Sequence, residues 1–154
     1  MKQFKKKKYV LLAENVPVGT RVYNYLEDVD YLTDMGHRVI LTGTAKESWV
    51  ISAASLAKNY TYLNGSAIDP DNLPSVAFNI VPITDGSVTV FAEQTQEELD
   101  ITTVRGDVLH ANRPGVSHGG GDWIVFENID GLPNSNNRWV VNGKVFKDTY
   151  EEVG

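Results

Sequence analysis

The stretch Pro114–Val125, PGVSHGGGDWIV, sets Ser117 and His118 against three consecutive glycines. Gly115-Val116-Ser117-His118-Gly119 fits the G-x-S-x-G pattern of a serine nucleophile, and His118-Gly119-Gly120-Gly121 fits the HGGG run of an oxyanion loop. The chemistry implied would be acyl transfer: a hydroxyl attacks a carbonyl, a histidine takes its proton and backbone amides hold the developing charge. Position argues against it. A nucleophile elbow follows a strand and precedes a helix, whereas Ser117 runs into the β-forming Trp123–Phe126. The oxyanion run of such enzymes is a separate segment, while here it overlaps the serine's own motif. None of His37, His110 and His118 stands at a convincing spacing from a carboxylate, although His110 could approach His118 across a loop. Ser117 is therefore read as a loop residue, with Gly119–Gly121 supplying positive φ in a long connection.

Other chemistries find less. The three histidines lack the close pairing of a zinc site, and with no cysteine there is neither a thiolate ligand nor a thiol nucleophile. Asp69-Pro70-Asp71 is too short for a calcium loop, and the acids Glu93, Glu97, Glu98 and Asp100 read as a solvated face. No phosphate-cradling glycine-lysine motif occurs. No catalytic residue, metal ligand or cofactor is assigned. What remains are binding candidates around the glycine run: His118, Gly119, Gly120, Gly121 and Trp123, with Arg113 and Arg138, and further donors Arg105 and Lys144, able to meet an anion.

The elements that must position these residues come in two similar sets. Ser48–Leu63 aligns without a gap under Arg138–Val153, bringing Trp49 onto Trp139, Val50 onto Val140, Ser52 onto Asn142, Leu56 onto Phe146 and Tyr60 onto Tyr150. Upstream, GHRVIL (Gly36–Leu41) matches GDWIVF (Gly121–Phe126). Runs of β-branched and aromatic residues between turn formers predict hairpins of Val39–Leu41 with Trp49–Ile51 and of Trp123–Phe126 with Trp139–Val141. Ser52 and Asn142 then cap short helices, whose Leu56 and Tyr60, or Phe146 and Tyr150, are four apart and share a face. Tyr9–Ala13, Val88–Ala92, Arg21–Tyr25 and Thr103–Leu109 are further strands. The three-residue recurrence of Leu26, Val29, Leu32 and Met35 leaves helix, strand or loop open. Trp49 and Trp139 are expected in the core.

The expected architecture is α+β and β-rich: two tandem copies of a small antiparallel β unit, each closed by a short C-terminal helix. Residues 1–7 form a basic tail, 8–66 the first copy, 67–85 an ordered proline-containing connector and 86–154 the second copy. Residues 1–66 carry nine basic and six acidic groups, a net of +3, while residues 67–154 carry five and fourteen, a net of −9. So acidic a body disfavours a nucleic-acid partner, since phosphate contacts need the opposite sign. The lysine-led start has the charge of an export signal, but its apolar run stops at Glu14, and no run reaches bilayer length. Membrane partners are excluded on this reading.

Gly121-Asp122-Trp123-Ile124-Val125 and the closing Phe146, Thr149, Tyr150 and Glu151 resemble the PGDYG or PGDWIV motif and F-x-x-T-Y-E tail of a family of small phage and prophage proteins. Gly120 stands where the motif has proline. The likeness covers the last third well and the first copy faintly. It implies a bacteriophage accessory protein acting in the host bacterial cytoplasm, and no activity. The expectation is a non-enzymatic interaction module that binds and inhibits a host protein. The alternatives are a protein that sequesters a small nucleotide-like or other anionic ligand and, rejected above, a Ser117 hydrolase. Whether the copies pack within one chain or across a homodimer stays open.

Overall fold

A computed structural model of the chain describes residues 1–154. In chain order the elements are β1 (Lys2–Lys6), β2 (Leu11–Asn15), β3 (Arg21–Asn24), β4 (Val29–Leu32), β5 (Val39–Thr42), β6 (Ser48–Ile51), α1 (Ala53–Asn59) and β7 (Tyr60–Tyr62). There follow β8 (Phe78–Pro82), β9 (Val90–Gln94), β10 (Leu99–Thr102), β11 (Val108–Ala111), β12 (Trp123–Ile129), β13 (Leu132–Val141), α2 (Gly143–Thr149) and β14 (Tyr150–Glu152). The chain is β-rich and its sheets are antiparallel. No helix is long and apolar enough to cross a membrane.

Two compact units divide these elements. One, the inserted unit, comprises Lys8–Tyr25 and Asp30–Ile83; the other, the interrupted unit, comprises Met1–Lys7, Leu26–Val29 and Thr84–Gly154. Each holds a five-stranded sheet, ordered β6-β5-β2-β8-β7 in the inserted unit and β13-β12-β9-β1-β14 in the interrupted one. Two-stranded hairpins, β3-β4 and β10-β11, lie outside these sheets.

The tryptophan hairpins form as their β-branched runs demand. Leu41 pairs with Trp49 and Val39 with Ile51, while Val125 pairs with Trp139 and Trp123 with Val141. Both caps form too: the Ser52 hydroxyl accepts from the Ser55 amide at 3.0 Å, and Asn142 Oδ1 accepts from the amides of Lys144 and Val145 at 3.0 and 3.3 Å. The helices stop sooner than the four-residue spacing predicts. Tyr60 and Tyr150 are already extended, each giving its amide to the carbonyl four back and entering β7 or β14. Their rings still bury, because alternation along the new strand returns them to the helix side of the sheet.

Each helix covers one face of its sheet. Leu56 of α1 closes over Leu11, Ala13, Val39, Leu41 and Ile80. Phe146 of α2 closes over Phe4, Ala92 and Val125, each large apolar side chain so buried contributing about 1.5–3 kcal/mol. Trp49 and Trp139 are half-buried at the margins of these clusters rather than inside them.

Several expectations are overturned. Residues 1–7 are no tail: β1 lies inside a sheet, antiparallel to both β9 and β14. Phe4 alone anchors it apolarly, at 7% exposure, while Lys2 and Lys5 stand 3.6 Å from Glu152 and Glu151. Desolvation lowers the Lys6 amine below the ordinary lysine value, partly opposed by Tyr150. The stretch 67–85 is more than a connector, since β8 fills the position between β2 and β7 that β1 fills between β9 and β14. The recurrence at Val29 and Leu32 belongs to strand β4, where Val29 and Tyr31 are buried by two-residue alternation. Thr103–Leu109 is mostly turn, with the Thr103 amide donating to Asp107 at 2.8 Å and strands on either side. Glu127–Arg138, rich in turn formers, continues the β12–β13 hairpin at its far end. Its turn is Asp130-Gly131, both at positive φ, with a register shift after Phe126.

Glu47, at the β5–β6 turn, is 5% exposed, and no side chain pairs with either carboxylate oxygen. The carboxyl lies over Gly43, where an added Cβ would sit 1.9 Å from Oε1 and 3.0 Å from the Trp49 ring. Desolvation pushes its pKa up to about 7 from 4.5, with the Ala45 and Glu47 backbone only partly opposing it. The folded chain thus holds more protons than the unfolded one between pH 4.5 and 7, so stability falls as pH rises through that window.

Two outcomes follow. Between pH 5 and 8 the chain should lose about 2–3 kcal/mol that Glu47→Gln does not lose, read from urea midpoints at each pH; a parallel decline in both would refute the assignment. Phe4→Ala should cost roughly 3–5 kcal/mol, as a core aromatic does, where a frayed tail would cost nothing measurable.

Candidate functional site

The glycine stretch folds into a hydrogen-bonded knot centred on Asp122, which is 2% exposed. Asp122 Oδ1 accepts from His118 Nδ1 at 2.7 Å and from the Gly143 amide at 3.0 Å, and Oδ2 accepts from the Asn112 amide at 2.8 Å. The Asp122 amide donates to Asn112 Oδ1 at 2.8 Å. Asn112, held at a φ of 56°, donates through Nδ2 to the carbonyls of Thr95 and Glu97 at 2.9 and 2.8 Å. Asn142 Nδ2 donates to the Ser117 carbonyl at 2.9 Å. Gln94 Nε2 donates to the Gly121 carbonyl at 3.0 Å, and Gln96 donates to that of Gly120.

The glycines are dictated by this closeness. Gly119, Gly120 and Gly121 all adopt positive φ, and a Cβ on Gly121 would lie 2.4 Å from the Thr95 carbonyl oxygen. Gly143 has ordinary φ but no room, since its Cβ would be 1.9 Å from the His118 carbonyl oxygen and 2.1 Å from that of Gly121.

His118 is committed at both nitrogens, Nδ1 to Asp122 and Nε2 to the Arg113 carbonyl at 2.6 Å. Neither ring nitrogen is left for Ser117, whose contribution to the knot is its carbonyl. All three histidines find aspartates, contrary to the reading of their spacing. His37 meets Asp34 at 3.0 Å across a tight turn, and His110 meets Asp100 at 2.5 Å across the β10–β11 ladder. His110 therefore serves that ladder pair and not His118.

Of the binding candidates, the structure gathers His118, Gly119, Gly120, Gly121 and the Arg113 backbone in the knot. The Arg113 guanidinium stands 3.7 Å from Asp28 of the same unit. Trp123 points to the opposite face of the sheet. It stacks on Phe146 with centroids 4.2 Å apart, meets Phe4 edge-on at 5.3 Å, and Phe146 stacks in turn on Tyr150 at 4.6 Å. Trp123 is a packing residue.

Arg138 stands elsewhere, in a cleft of about 350 Å³ on the sheet face away from α2. Ile124 and Phe126 of β12 and Leu99 and Ile101 of β10 give apolar walls; Glu93, Gln94, Thr95 and Glu97 form the polar remainder. The hairpin β10–β11 packs against β13 and closes one side. The Arg138 guanidinium has no ion-pair or hydrogen-bond partner. Sequence reasoning named Arg138, Glu93 and Glu97 separately and missed their apolar neighbours. The available signal was the alternation of β12, which sends Trp123 and Val125 to the helix side and Ile124 and Phe126 to this one. The knot and the cleft share the 94–97 segment, so the carbonyls fixed by Asn112 hold one rim of the cleft in place.

Comparison with protein-family models, with curated proteins and with solved structures gives no match to this chain.

Asp122→Asn puts an N–H among donors and should cost about 1–3 kcal/mol, as leaving buried donors unsatisfied does, while Ser117→Ala should stay within about 0.5 kcal/mol. Urea denaturation monitored by tryptophan fluorescence measures both, and a neutral Asp122→Asn would contradict the knot.

Proposed function

We propose that this chain is a non-enzymatic binding protein of the small phage-accessory kind, whose ligand is a small molecule with an anionic head and an apolar body, held in the Arg138 cleft. The observation that carries this reading is the unpaired guanidinium of Arg138 beside Ile124, Phe126, Leu99 and Ile101. Arginine presents a planar fork suited to carboxylate or phosphate, and the apolar side chains beside it strengthen that contact by excluding water. Glu93 and Glu97 on the same cleft would repel a purely anionic ligand, so its body must offer hydroxyl or amino donors to them. The volume suits a molecule of nucleotide or smaller size.

Supporting the non-enzymatic part, His118 is spent on structure and Ser117 has no base. The phage origin and the host cytoplasm rest on the PGDWIV-like motif alone. The matched strand orders of the two sheets and the gapless alignment of Ser48–Leu63 with Arg138–Val153 support descent of both units from one duplicated ancestor.

A host protein as partner is the second reading. Tyr23, Tyr25 and Leu32 on and beside hairpin β3–β4 are 52%, 44% and 47% exposed, and exposed tyrosines favour protein contacts.

A thermal-shift panel of nucleoside monophosphates, sugar phosphates and aromatic carboxylates separates the two. At least one compound should raise Tm by several degrees in the wild type and in Lys147→Met, and fail to do so in Arg138→Met. No shift with any compound, together with capture of a host protein that Tyr23→Ala abolishes, would transfer the function to the hairpin.

A further inference from the structure

Strand β1 is held by residues far from it in sequence. Its ladders run to β9, with Lys2, Gln3 and Phe4 opposite Ala92, Phe91 and Val90, and to β14, with Phe4, Lys5 and Lys6 opposite Glu152, Glu151 and Tyr150. Phe4 packs edge-on against Trp123 and Phe146 at 5.3 and 5.0 Å. The Lys7 amide reaches the Thr149 carbonyl at 2.8 Å, Lys7 Nζ reaches that of Lys147 at 2.9 Å, and the Val153 amide reaches Gln3 at 3.0 Å. These partners all lie in Thr84–Gly154, separated from β1 by the whole inserted unit. Residues 7–10 between β1 and β2 have no regular structure, and Lys8 and Val10 are exposed.

We infer that β1 is an exchangeable strand and that the partner fitting its slot is a second copy of this chain. Every contact just described exists equally when the strand comes from another copy, so exchange sacrifices nothing in the slot and costs only the effective concentration of the tethered strand. Reciprocal exchange closes a two-fold dimer and leaves no slot empty. β8 fills the matching position in the other sheet but follows β7 within one unit, so it is not exchanged. The ladder also sets the register: Lys5 must face Glu151 of whichever copy holds the strand.

The native chain has no cysteine, which allows a direct test. One chain carries Lys5→Cys, another Glu151→Cys, both at partly exposed side chains. The two are unfolded in urea, mixed, refolded together at high and low concentration, oxidised and run on a denaturing gel without reductant. Exchange predicts a covalent heterodimer whose yield grows with refolding concentration and which is absent when the two are refolded apart and then mixed briefly. The double variant Lys5→Cys, Glu151→Cys, sized before oxidation, should give an internally linked monomer and a covalently linked dimer. No heterodimer at any concentration, or a sized dimer whose oxidised chains separate on the gel, would overturn the inference.

Discussion

The carboxylate of Asp122 is the point on which the interrupted unit is organised. Three donors converge on it from three parts of the chain: the Asn112 amide after β11, the His118 ring in the glycine run and the Gly143 amide that opens α2. Buried at 2% exposure, the charge would be costly unless each lone pair were matched, and the matching fixes where those segments lie. The glycines are secondary to this. Gly119, Gly121 and Gly143 are places where a side chain would push the loop off the carboxylate or off the helix.

This constraint reaches as far as the Arg138 cleft. Asn112, locked by Asp122, reaches out to the carbonyls of Thr95 and Glu97, and that segment lines the Arg138 cleft. A loop that looks catalytic by motif therefore acts one step removed, as the brace of a pocket wall. The tryptophan of the same motif does parallel work on the other face, where its stack with Phe146 and Tyr150 joins the strand to the helix that follows it.

The parts legible in the sequence were those set by neighbours in sequence. Hairpins around Trp49 and Trp139 announce themselves through β-branched runs, and Ser52 and Asn142 through their place before a helix. Local torsion also explains why the glycine run could be read as loop. The parts that escaped depend on register between distant segments. Lys5 and Lys6 look like a solvated tail until Glu151 and Tyr150 are set opposite them. His110 has no evident partner until the β10–β11 ladder carries Asp100 across. Val29 and Leu32 fit a helical period and a strand equally over so short a span, and pairing with β3 decides between them. The cleft draws on four strands, so no single window of sequence could contain it.

The separation of β1 from its slot orders events as the polypeptide leaves the ribosome. Residues 2–6 are made before the other described strands, yet β9 emerges only after the inserted unit and β14 only at the close of the described chain. The inserted unit, from Lys8 onward, is available to fold in the interval. The earliest-made of the described strands is thus the last to find its place, and until then its three lysines and one phenylalanine trail in water, available to chaperones and to the strands of other unfinished copies.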